Sequence, residues 1–116
     1  MSRRRVLFLF PTAWDARQLE ACRSQWDDRF EVVYDDLADA DCPSDLDAEA
    51  FLDRVAARWG GSVAGVTSSS DYPGATLAAA LAERLGLPGS PPAAVLRCSH
   101  KYYSRMAQAA SVPDAT

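Results

Sequence analysis

Three groups of residues in this 116-residue chain have types and spacings suited to chemistry. Lys101 and Arg105 lie four apart, so a helix carries both cations on one face, where they can meet an anion or simply face solvent. Ser68, Ser69, Ser70 and Asp71 follow an apolar stretch and precede a periodic helix. Small hydroxyl residues at a strand end, beside free helix amides, can bind a carboxylate or phosphate; the same residues can equally serve as a structural cap. Asp35 and Asp36 end a second apolar stretch and can hold a ribose or a metal, but the acidic, turn-rich sequence through Asp47 reads better as a solvated loop.

The elements that position these groups alternate. Val6–Phe10 is a continuous apolar run bounded by arginines and Pro11, the pattern of a central strand in a parallel sheet. Thr12 and Asp15 form a capping-box start for a helix over about 13–27, with Ala16, Leu19, Cys22 and Trp26 at helical spacing. Glu31–Tyr34 is a second strand. Ser44 and Asp47 repeat the cap, and Ala48, Phe51, Leu52, Val55 and Trp59 make a stripe ended by Gly60-Gly61. Val63–Thr67 is a third strand, followed by a helix with Leu77, Ala78, Leu81 and Leu85 inward. Gly86 is placed as a left-handed C-cap with Leu87 as its apolar contact. Ser90-Pro91 starts a short helix to Cys98, Ser99 caps another with Tyr102, Met106, Ala109 and Ala110 on one face, and Val112-Pro113 stops it. The class is α/β, with parallel strands and the first strand between the other two.

The run Leu-Gly-Leu-Pro-Gly, a short helix, Lys101 and Arg105, and then Val112-Pro113 resembles the start of an ATP-grasp ligase core. The alternating pattern upstream is similar to the domain that precedes that core in biotin carboxylases, carbamoyl phosphate synthases and amino-acid ligases. The resemblance implies a three-layer Rossmann-like pre-ATP-grasp domain over 1–89 and a helical start of the ATP-grasp domain over 90–116. It implies that a core of well over a hundred further residues follows, holding the glycine-rich lid, a second nucleotide lysine and the acidic magnesium ligands, so the 116 residues alone are not expected to catalyse. ATP and Mg2+ are the cofactors it implies, with a small-molecule carboxylate activated as an acyl phosphate and captured by an amine, or carboxyl transfer in its place. Lys101 matches the family lysine that meets the ATP phosphates; Arg105 is one turn on, and the Ser68–Asp71 loop is the substrate-facing candidate. Two positions depart from the pattern: His100 stands where an aspartate is usual before the lysine, and Ser111 where a glycine is usual before Val-Pro.

Composition narrows the alternatives. A net charge of −4 argues against a binder of phosphate backbones, which needs clustered Lys and Arg. Thirteen of the sixteen acids fall between Asp15 and Asp53, whereas Arg97, Lys101 and Arg105 face only Asp114 near the C-terminus, so that end is cationic. Cys22, Cys42 and Cys98 are widely spaced, with one histidine in the chain, which reads as reduced cytoplasmic thiols and no metal site. The first apolar run is too short to span a membrane. The turn after it, Pro-Thr-Ala-Trp-Asp, lacks the glycines of a dinucleotide fold, and the serines lack a nucleophile elbow. A phosphoacceptor domain would need its aspartate directly at the third strand's end, and Asp71 comes later. The remaining competitor is a non-catalytic α/β interaction module, including one that forms a homodimer.

Overall fold

The computed structural model describes residues 3–35 and 46–112. Asp36, Cys42, Ser44 and Pro113 lie outside them. Three parallel strands form one sheet: β1 (Arg4–Phe8), β2 (Phe30–Tyr34) and β3 (Gly65–Thr67), in the order β2-β1-β3. The register pairs Arg4 with Phe30 and Phe8 with Tyr34 on one side, and Val6 with Gly65 and Phe8 with Thr67 on the other. Helices α1 (Ala13–Ala21), α2 (Ala48–Trp59) and α3 (Gly74–Arg84) alternate with them, and α4 (Pro92–Ser99) and α5 (Lys101–Ser111) follow.

The core is built around β1. Leu7, Leu9 and Phe10 are buried with Phe51 and Val55 of α2, Val63, and Leu77, Ala78 and Leu81 of α3. Phe10 and Phe51 stack at 5.2 Å. The first apolar run pairs over 4–8 rather than 6–10, because Leu9 and Phe10 are held by packing instead of by a full ladder. The Leu9 amide still reaches the Thr67 carbonyl at 2.9 Å, and Phe10 at φ 52° then turns the chain away. That left-handed backbone is uncommon for a residue with a side chain and persists here because the ring is 3% exposed. Likewise β3 is shorter than Val63–Thr67: Val63 is buried but only Gly65–Thr67 pair.

Helix boundaries follow their hydrogen bonds. At α1, the Thr12 hydroxyl accepts the Asp15 amide and the Asp15 carboxylate accepts the Thr12 amide, completing the capping box. α1 ends at Ala21 instead of near Asp27 because the Trp26 indole N–H donates to the Leu19 carbonyl at 3.0 Å, the acceptor that a continuing helix would offer to Arg23. A 3₁₀ turn over Arg23–Gln25 takes its place. Asp47 caps α2 through the Ala50 amide.

At the end of α3 the expected cap is present in full. Gly86 has φ 71°, its amide donates to the Glu83 carbonyl, and the Leu87 amide donates to the Ala82 carbonyl at 2.8 Å. The two later starts differ from expectation. Pro91, not Ser90, caps α4, and His100, not Ser99, caps α5; neither side chain makes a capping bond. His100 is extended (φ −90°, ψ 119°), which breaks the path into two helices. α5 packs on α4 and α4 on α3. The face shared by Tyr102 and Met106 stays in solvent, at 62% and 55% exposure.

Candidate functional site

In a parallel sheet whose central strand comes first in the chain, the connections leave in opposite directions, and the loops beyond the carboxyl ends of β1 and β3 frame the place where ligands bind. Here those loops are Leu9–Thr12 and Ser68–Pro73, and they are tied directly to each other. The Ser68 hydroxyl donates to the Leu9 carbonyl at 2.8 Å, and the Ser69 hydroxyl donates to Asp15 Oδ2 at 2.8 Å. The Ser70 amide donates to the Ser68 hydroxyl at 3.2 Å, and the Ser70 carbonyl accepts the Ala75 amide at the start of α3. Gly74 lets this loop close. A Cβ on it would lie 2.4 Å from Ser68 Oγ and 2.5 Å from Ser70 Cβ. Tyr72-Pro73 is a cis peptide bond, and both Asp71 and Tyr72 are exposed.

The residue that organises this edge is Asp15, which the sequence marks only as part of a helix start. It is 7% exposed. Its Oδ2 accepts the Thr12 amide at 2.8 Å, the Thr12 hydroxyl at 3.0 Å and the Ser69 hydroxyl. The Thr12 amide, against desolvation, and then the Ser69 and Thr12 hydroxyls hold its carboxyl below the ordinary value, so it is ionised. Its field reaches Tyr34, at the end of β2, whose hydroxyl is pushed up by burial first and then by the charges of Asp15 and Glu20. No sequence signal short of pairing β1 with β3 places Ser69 on a carboxylate 54 positions earlier.

Asp35, read as part of a solvated loop, is instead 3% exposed. Arg54 and Arg58, one turn apart on α2, reach it at 3.2 and 3.3 Å. Both guanidinium groups also lie over rings, Arg54 at 5.4 Å from Phe51 and Arg58 at 4.9 Å from Trp59. A buried carboxylate paired this way fastens the end of β2 to α2.

Lys101 and Arg105 are exposed on α5, one turn apart, on a helix that packs on α4, which in turn packs on α3. The fold therefore does not bring them into the Ser68–Asp71 loop's hydrogen-bond network. Two exposed cations at this spacing fit contact with a phosphate group. Magnesium finds no cluster of three or more His, Cys, Asp or Glu side chains among the described residues. No helix among them is long and apolar enough to cross a membrane. No family model, curated protein or solved structure matches the chain.

Proposed function

We propose that the chain is the N-terminal, pre-ATP-grasp part of an ATP-dependent carboxylate–amine or carboxyl-transfer ligase, with its α/β part in a three-layer Rossmann-like arrangement. The observation that carries this reading is the two-helix arm. α3 ends in a complete glycine cap, the chain breaks once at His100, and the outer helix presents Lys101 and Arg105 to solvent. The layering is supported by the alternation along the strands. Leu7 and Val33 pack into the core with α2 and α3, while Val32 and Tyr34 line a groove with Ala16 and Leu19 of α1.

In this reading Lys101 supplies a point charge to the ATP phosphates once a downstream core closes on them, and Arg105 supports it. Magnesium, when bound, neutralises phosphate charge; its ligands belong to that core. The Ser68–Asp71 loop faces the substrate side. The protein works in the cytoplasm with its three thiols reduced.

Titration with magnesium and ATP tests the division of labour: the 116 residues alone bind weakly or not at all, and micromolar affinity would place the nucleotide site elsewhere. In a chain that includes the catalytic core, Lys101→Met removes a charge-assisted bond worth about 1.5–3 kcal/mol, or about ten- to a hundredfold in ATP affinity. The melting temperature stays put. Unchanged nucleotide kinetics would withdraw the assignment.

A second reading has its own observation. Tyr102, Tyr103, Met106 and Val112 are all about half exposed or more on or beside α5, as on a helix that docks against a partner. A non-catalytic, dimerising module would show a concentration-dependent mass in sedimentation that Met106→Glu abolishes.

A further inference from the structure

At the carboxyl edge of the sheet, the hydrogen bonds decide which kind of ligand group the loop can receive. A serine hydroxyl has one proton. Ser68 gives its proton to the Leu9 carbonyl and accepts the Ser70 amide, whereas Ser69 gives its proton to Asp15 and keeps acceptor lone pairs that no described residue claims. All three donors on Asp15 converge on Oδ2. Oδ1 has no hydrogen-bond partner among the described residues, yet it is not sealed from solvent. Asp15 thus presents a nine-tenths buried, ionised carboxylate with one oxygen that no described residue claims, where the β1 and β3 loops are tied together. A carboxylate or phosphate placed here would meet negative charge and lone pairs. A protonated amine would meet two or three acceptors and a fixed counter-charge.

We infer that this edge binds the ammonium group of a small amine ligand, through Asp15 Oδ1 and the Ser69 hydroxyl oxygen. Ser70 adds a hydroxyl that engages no partner among the described residues and can turn either way. Trp14 and Tyr72 stand in the two segments that Ser69 joins and are 61% and 62% exposed, which leaves apolar surface for the carbon skeleton of the ligand. The geometry assigns the loop to an amino group, not to the carboxylate or phosphate that its serines suggest in sequence. The inference stands apart from the nucleotide role of Lys101, which belongs to a different helix.

The test uses the 116-residue chain, labelled with nitrogen-15, and two probes of opposite charge. Glycinamide carries an ammonium and no carboxylate; acetate carries the reverse. Saturable shifts of the Thr12, Ser69 and Ser70 amides with glycinamide and none with acetate are expected. Asp15→Asn, which keeps the shape and the acceptor for Thr12, should weaken glycinamide at least tenfold while the remaining amides keep their positions. Saturable binding of acetate at these amides, no response to glycinamide, or equal affinity in the variant would each overturn the inference. If Asp15→Asn does not fold, the selectivity of the wild-type chain between the two probes decides. Neither probe reports on Lys101, so a failure here leaves the ligase reading to its own experiment.

Discussion

Gly74 is held between two serines with no space for a side chain, which makes it a sensitive position of the Ser68–Pro73 loop. In Gly74→Ala the new methyl must displace Ser68 or Ser70. We expect a loss of about 1–3 kcal/mol in urea unfolding, with the amide shifts of Ser68–Ser70 moved and those of β1 retained. Asp15 gives a second residue-scale outcome. Its folded carboxyl sits below the ordinary value of 3.8, so the folded chain binds fewer protons than the unfolded one. The stabilisation is therefore complete above about pH 4 and is lost as pH falls through the depressed value. The gap in unfolding midpoint between wild type and Asp15→Asn should be widest near neutrality and narrow below pH 4. Midpoints that run parallel down to pH 2 would contradict it.

At the scale of elements, the end of α3 was legible and the start of α5 was not. Gly86 follows a periodic helix, and glycine tolerates the left-handed backbone that a terminating turn needs, so composition and conformation agree. A Cβ at Gly86 would touch nothing within 4 Å, so Gly86→Ala isolates the backbone term and should cost about 1–2 kcal/mol by thermal melting, without disturbing packing. Ser99 resembled a cap by residue type, but α4 continues through it and His100 takes the extended conformation. The end of α1 was hidden for another reason. Apolar spacing ran on to Trp26, and only its indole bond to Leu19 shows that the ring folds back instead of extending the helix. Periodicity records which residues are inside, not which partner takes each carbonyl. The same limit made Asp15 look like a helix start and Asp35 like solvent-exposed loop.

Across the whole molecule, stability is unequally distributed. Leu7, Leu9, Val55 and Leu81 are sealed, while no residue of α4 or α5 is buried. Leu81→Ala should cost about 2–5 kcal/mol, and Met106→Ala should stay within about 0.5 kcal/mol. Amide hydrogen exchange should follow the same gradient, fastest in α5 and slowest at Leu7, and uniform protection across both would show that the arm is held by more than α4. The alternation of strands and helices, their parallel pairing and the central place of β1 were legible in the apolar runs together with the helical stripes between them.

The central place of β1 also bears on how the chain is made. Leu9 cannot give its carbonyl to Ser68 until 59 more residues have been added, which at about 5–20 residues per second takes about 3–12 s. The apolar run from Val6 to Phe10 emerges from the ribosome ahead of both strands that will flank it. Until they arrive it is open to binding by a chaperone, or to wrong pairing with the same run on a neighbouring nascent chain.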